Sequence, residues 1–345
     1  MNKKYSELAE LFRSEKTDEE ILDFLLNYHK NDIADMMAGM TEEERKRLYH
    51  LLGAQKVAEI FKYIEEPRKY IRELSVESAA RVISEMDSDD AVDLLEDLDP
   101  EEKEQIVRML DEDAKKDVKM LLSYDEEEIG SCMTTNYICI PEDLTIKQAM
   151  SELVKQAGEN DNIMTIYVVD EKGVFAGAID LKDLIRAREN THLEDLVLKS
   201  YPYVTDHEKI DDCMDRILDY AEDSIPVLSE DKKILGVITS EDLIEMVDNE
   251  MGEDYAKLAG LTAEEDLKEP TLQSMKKRLP WLIILLFLGM GVSSVVGLFE
   301  NVVAVLPVVI CFQSLVLDMA GNVGTQSLAV TIRVLMDENL TGKQK

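Results

Sequence analysis

The 345-residue chain is too long for one ordinary hydrophobic core, so two or more domains are expected. Its 73 Asp and Glu against 38 Lys and Arg give a formal charge of -35, which argues against nucleic acid as a partner because phosphate backbones would be repelled. A carboxylate excess of this size makes the compact state repel itself unless cations sit among the acids, and divalent ions are the obvious candidates; a solvated acidic face is the alternative for any single charge run.

The first residues, MNKKYSELAELFRSEK, carry no apolar run of the signal-peptide kind, so export is not expected. Residues 1–128 read as an acidic, all-helical domain, with leucine-type positions at i, i+3, i+4 and i+7 and very few glycines. Between Leu74 and Leu122 an apolar turn, a short acidic break such as Met86-Asp87-Ser88-Asp89 and a further apolar turn recur, the pattern of short helices stacked in a superhelix. Asp99-Pro100-Glu101-Glu102 marks a helix start, since proline suits the first helical position and acids suit the N-terminal dipole.

Residues 133–250 change to strands alternating with helices, and they contain a repeat. Residues 166–184 align without a gap on 225–243, placing Gly177 on Gly236 and Asp183 on Asp242. Each copy reads as strand, turn, strand and a helix capped near its start by an acid. Cys132, Cys139, Cys213 and Cys311 show neither CxxC spacing nor nearby histidines, so no zinc cage or disulfide framework is suggested. His29, His50, His192 and His207 are scattered and read as surface or packing residues.

Composition changes abruptly near Pro280. Residues 281–299 are uncharged and long enough to cross a hydrocarbon core of ~30 Å as a helix. Residues 301–317 are again uncharged, and after Asp318 the apolar character resumes to Ile332, a second span with an acid inside it. Lys276, Lys277 and Arg278 directly precede the first span, which keeps the N-terminal part cytoplasmic; the tail with Arg333, Lys343 and Lys345 returns to that side.

The unit Gly177-Ala-Ile-Asp-Leu-Lys-Asp183-Leu and its second copy, Gly236-Val-Ile-Thr239-Ser-Glu-Asp242-Leu, resemble the cystathionine-β-synthase-type (CBS) domain, whose tandem pairs bind adenosine nucleotides or regulate an attached partner. The resemblance makes Thr239, Asp183 and Lys182 nucleotide-binding candidates and admits ATP at the pair. Asp180 stands where Ser or Thr is usual, and its carboxylate would repel phosphate.

A helical acidic domain, a CBS pair, a charged linker helix and membrane spans is the order of the MgtE magnesium channels. Phe312-Gln-Ser-Leu-Val-Leu-Asp318-Met-Ala-Gly321-Asn322-Val-Gly324-Thr325-Gln326-Ser327 is similar to that family's second span, and Phe299-Glu300 to the end of its first. The resemblance implies a multidomain chain: an all-α superhelical N-terminal domain (1–128), an α/β tandem CBS pair (129–196 and 197–252), a linker helix (253–279), an α-helical transmembrane segment (280–300 and 301–335) and a cytoplasmic tail (336–345). The family has five spans, so the two read here imply a shortened chain whose own conduction is in question.

What the resemblance implies about function is a homodimeric magnesium channel or transporter subunit of the bacterial inner membrane, not an enzyme, whose cytoplasmic acids sense Mg2+ and close the pore when it is high. Glu59, Asp89 and Asp93 match acids of the helical domain, and Asp242, Glu245, Glu250, Glu253 and Asp254 match acids at the end of the second CBS copy and the start of the linker. Asp89 and Asp93, spaced i, i+4, share one helix face. Magnesium keeps several waters and can bridge one or two carboxylates, so facing pairs suffice. Ala221 and Lys209 stand where the family has acids, leaving Asp219 or Asp223 as substitutes. Asp318, Gly321, Asn322, Gly324 and Gln326 are the pore candidates, with the helix expected to break at the glycines and free carbonyls toward a hydrated path. A CBS-domain sensor acting on another membrane partner is the alternative.

Overall fold

The computed structural model describes residues 17–64, 66–158, 160–188, 190–258, 271–299, 305 and 307–335. They belong to two compact units divided after Leu243.

The first unit opens with short helices: α1 (Asp18–Leu25), α2 (Lys30–Met37), α3 (Glu42–Phe61), α4 (Pro67–Ile71), α5 (Val76–Ser84), α6 (Ser88–Glu96), α7 (Pro100–Met109) and α8 (Glu112–Leu121). Their starts are encoded locally. Thr17 and Thr41 form capping boxes with Glu20 and Glu44, and Ser75 and Asp111 accept from the backbone N–H groups of Ser78 and Ala114. Pro100 occupies the first turn of α7 as expected, but Asp99 makes no cap hydrogen bond and instead pairs with Arg68 and Arg72. Within α3 the chain turns at Gly53, whose φ of 76° joins two helical pieces. Helix α5 packs on α7 and α6 on α8, each on the next but one, so every short helix buries its apolar stripe against a neighbour of the stack. Leu48, Phe61, Ile83, Leu94, Leu95 and Leu121 form the dry interior.

The two repeats fold alike. The first holds β1 (Ile138–Pro141), α9 (Ile146–Gln156), β2 (Thr165–Val169), β3 (Phe175–Asp180) and α10 (Leu181–Arg186); the second holds β4 (Val204–Thr205), α11 (Ile210–Tyr220), β5 (Ser224–Leu228), β6 (Ile234–Thr239) and the start of α12 (Ser240–Leu258). In each sheet the first two strands run parallel and the last two antiparallel, and the register slips at Val168/Val169 and again at the matching Val227/Leu228. The paired glycines explain why the copies interlock. A Cβ on Gly177 would meet the Leu198 carbonyl oxygen at 2.6 Å, and one on Gly236 would meet that of Thr134 at 2.7 Å. Thr134, leading into the first copy, bridges Val237 of the second, while Leu198, leading into the second, bridges Ala178 of the first. Each copy is therefore completed by backbone from the other.

The second unit contains the rest of α12, then α13 (Thr271–Leu298) and α14 (Pro307–Leu335). Residues Ser274–Leu298 are long and apolar enough to cross a membrane, with mean hydropathy 2.3. Two expectations change. The end of the linker and the first span are one helix, with Pro280 inside it, and residues 259–270 lie outside the described residues. Nor is α14 broken: it is helical through Gly321–Gly324, where backbone bonds of the i→i−4 kind persist and the Thr325 hydroxyl donates to the Gly321 carbonyl at 3.1 Å. The tail 336–345 lies outside the described residues.

Candidate functional site

Where the helical stack meets the CBS pair, the start of α6 faces the start of α12 across an acidic cleft of about 220 Å³. Both faces are helix N-termini, which favours acids locally: Asp89 and Asp90 lie in the first turn of α6, Glu241 and Asp242 in that of α12. The seam beside the cleft is held by hydrogen bonds from neutral donors. Ser88 Oγ accepts from the Thr135 N–H at 2.9 Å, the Thr135 hydroxyl donates to Asp117 at 2.8 Å, and the Asn136 amide donates to Asp87 at 2.7 Å.

The carboxylates inside the cleft repel one another. Oδ1 of Asp89 is buried without a hydrogen-bond partner. Burial first, then the charges of Asp242, Asp90 and Asp87, hold the Asp89 carboxyl well above the usual carboxylate range. Burial also lifts Asp90 to about 7, opposed by Lys62 and reinforced by Asp87, Asp93 and Asp242. Asp242 is raised by burial even though the Thr239 backbone N–H and hydroxyl donate to its Oδ2 at 2.6 and 2.8 Å. Beside them burial pushes the Cys132 thiol up to about 11, with Asp93, Asp242 and Asp89 adding to it.

Lys62, which ends α3, reaches into this cleft. Its ammonium lies 3.1 Å from Glu241, 3.7 Å from Asp87 and 3.9 Å from Asp90. Burial lowers its pKa, but the acids more than offset that and the net shift is upward.

The expected sensor acids divide into two groups. Asp89, Asp242 and Glu59 line the cleft, with Glu59 paired to Lys30 at 3.0 Å, while Asp93 stands at an exposed position one turn along α6. Glu245, Glu250, Glu253 and Asp254 lie on α12 in the second unit; Glu245 is exposed, and the side chains of the other three are outside the described residues. Asp318, Gly321, Asn322, Gly324 and Gln326 lie along exposed α14, and a Cβ on Gly321 or Gly324 would meet nothing within 4 Å. Lys209 pairs with Glu127 at 2.6 Å, and Ala221 ends α11 in the left-handed conformation.

The nucleotide candidates are placed differently from one another. Lys182 and Asp183 are exposed at the start of α10, whose cap is Asp180, accepting from the Lys182 N–H at 2.7 Å. Thr239 lines the acidic cleft, and it, not an acid, caps α12: its hydroxyl accepts from the Asp242 N–H at 3.4 Å while Asp242 reaches back. A hydroxyl with an acid three residues on closes a reciprocal box, which an acid alone at the cap does not. Sequence reasoning missed Lys62, Asp87, Asp90 and Glu241. The three acids adjoin residues it named, but nothing in the periodicity of α3 marks Lys62.

The donor chemistry suits a hard, hydrated dication: oxygen ligands only, with one buried oxygen lacking a partner. Among the described residues no group of three or more His, Cys, Asp or Glu converges closely enough to cage a metal. Two carboxylates bridged through water need no such cage.

Comparison with known proteins agrees with this layout. The MgtE intracellular N domain matches residues 28–127, and the CBS domain matches 127–190 and 193–249. The magnesium transporter MgtE of Enterococcus faecalis is 38% identical over 97% of this chain and 74% of its own length. That of Bacillus subtilis is 32% identical over 64% of this chain, which spans 49% of that relative. The soluble part of a magnesium transporter superposes with TM-score 0.68 at 29% identity, covering 72% of this chain and 98% of that one. The cytosolic domain of the Mg2+ channel MgtE in complex with ATP gives 0.63 at 26%, covering 70% of this chain and 99% of that one. With a helical N domain, an interlocked CBS pair and a transporter relative aligned over 97% of this chain, the chain belongs to the MgtE family of magnesium transporters.

Proposed function

We propose that this chain is the Mg2+-sensing part, with the first two spans, of a homodimeric magnesium channel in a bacterial cell membrane, and that Asp89 and Asp242 are its principal sensor pair. The observation that carries this is the unpartnered, buried Asp89 oxygen facing Asp242 across the seam of the helical and CBS domains, with both carboxyls raised. Two carboxylates ~4 Å apart repel by roughly 1 kcal/mol in water and ~4 kcal/mol at an effective dielectric of 20. A dication between them reverses that sign. Binding therefore favours the docked arrangement over a splayed one, and rising cytoplasmic Mg2+ shifts the population toward docking. Asp93 and Glu59 extend the field at the rim, and Glu245, Glu250, Glu253 and Asp254 supply further anionic positions along α12.

Transmission to the pore runs through the linker, residues 253–279, toward two membrane-crossing helices, α13 and α14. In α14 an intact helix carries Asp318, Asn322 and Gln326 at i, i+4 and i+8, so side-chain oxygens, not freed carbonyls, face one path. ATP would meet Lys182 and Asp183, where Asp180 adds repulsion; the Thr239 hydroxyl is already committed to Asp242.

The test is Mg2+-dependent protease protection of the full chain in detergent, compared with Asp89→Ala/Asp242→Ala. Protection should rise with Mg2+ in the wild type and lose that dependence in the double variant. Equal dependence in both would overturn the assignment of this pair.

A further inference from the structure

The cleft already contains a cation of its own. Lys62 follows buried Phe61 at the end of α3, so its backbone is fixed by the helical core, and its side chain crosses to the CBS side. Its nearest partner, Glu241, belongs to α12, whereas Asp87 and Asp90 belong to α6; one ammonium thus joins carboxylates of both domains. The buried Asp89 oxygen is not among its partners. The acids of the cleft are therefore divided between a resident point charge and an unsatisfied remainder. A lysine ammonium is compact, with three rotatable donors on a flexible stem, and suits a site shared by several carboxylates that one hydrated ion would otherwise have to bridge.

We infer that Lys62 is an intramolecular counter-cation which keeps the helical and CBS domains partly docked at low Mg2+ and lowers the Mg2+ concentration needed to complete docking. The first half needs only the geometry; the second rests on the sensing role proposed above. Neutralising part of the acid field leaves fewer repulsive pairs for the divalent ion to overcome, so Lys62 sets the midpoint of the response, and Asp89 with Asp242 provides the response itself.

Hydrogen exchange of the full chain in detergent, read at backbone amides of residues 87–92 and 239–242, tests this. In EDTA, Lys62→Met should exchange faster than wild type by roughly two- to fivefold, the range of a partly exposed ion pair, and its Mg2+ midpoint should rise by a similar factor; Lys62→Arg should resemble wild type. Glu241→Gln supplies a readout that packing alone would not move. With Lys62 present it should loosen the seam by removing the nearest partner. In the Lys62→Met background it should tighten the seam by removing a repelling charge. The same direction of effect in both backgrounds, or Lys62→Met matching wild type in EDTA, would overturn the inference. Should Lys62→Met not fold, the single Glu241→Gln variant decides, because a seam as protected as wild type also overturns it. A wild type whose exchange ignores Mg2+ while these ion-free effects persist would defeat the sensing reading and the midpoint claim, and leave the tether standing.

Discussion

Replacing Asp89 by asparagine preserves shape and removes an ionisable group at a buried, unpaired point of the seam. Asp89 Oδ1 is buried without a partner, and burial together with Asp242, Asp90 and Asp87 opposes its ionisation. An unmet buried polar group costs about 1–3 kcal/mol, and a charged one more, while the asparagine amide brings N–H donors that need partners of their own. The net expectation for Asp89→Asn in EDTA is a gain of about 1–2 kcal/mol in the docked form. The wild type at a hundredfold excess of Mg2+ over its Kd gains about 2.7 kcal/mol by linkage; the variant, with one anionic arm neutralised, should gain less than about 1 kcal/mol. Urea unfolding of the full chain in detergent, followed by far-UV circular dichroism in EDTA and in saturating Mg2+, reads both changes as midpoint shifts. A lower midpoint than wild type in EDTA, or an undiminished Mg2+ increment, would refute the reasoning.

The same cleft carries a pH dependence. Burial and the neighbouring acids Asp87, Asp93 and Asp242, against the pull of Lys62, lift Asp90 from 3.8 to about 7, so the folded chain holds this proton more tightly than the unfolded one. The stabilisation is fully present below about pH 4 and is lost as pH rises through about 7; with 29% of the side chain still exposed, it amounts to about 1–2 kcal/mol. Between pH 5 and 7.5 in EDTA the wild type should lose stability, with Asp90 supplying somewhat more than half of that amount; Asp90→Asn should show a smaller fall in urea midpoint, the raised Asp89 and Asp242 carboxyls accounting for what remains. Away from the cleft, Arg45 and Glu73 form a buried pair with side chains 8% and 10% exposed, and Arg45 also donates to the Met37 and Met40 carbonyls. Arg45→Met should therefore cost about 3–5 kcal/mol, seen as a lower thermal midpoint, and a second change of Glu73→Gln should recover part of it.

Much of this architecture is written in short-range signals. Helix starts at Thr41, Ser75 and Pro100 depend on residues three or four positions away, and the repeat from Ile166 to Leu184 carries its strands, its register slip and its helix start onto 225–243. Periodicity and composition thus report the helical stack, the two α/β copies and the uncharged run from Trp281, because each is decided by neighbours in the chain. Asp89 and Asp242 were legible for a different reason, since they fall on motifs resembling a known family.

The tertiary structure decided the rest. That Thr134 pairs with the far copy and that Lys62 lies among Asp87, Asp90 and Glu241 are facts about segments many residues apart. Nothing local favours one lysine over another at the end of a helix. Electrostatic energy depends on distance in space and on how much water remains between charges, and both are set only when the helical stack and the CBS pair are brought together. A sequence counts its acids; only the packed chain determines which of them are dry, which are paired, and which oxygen is left with no partner.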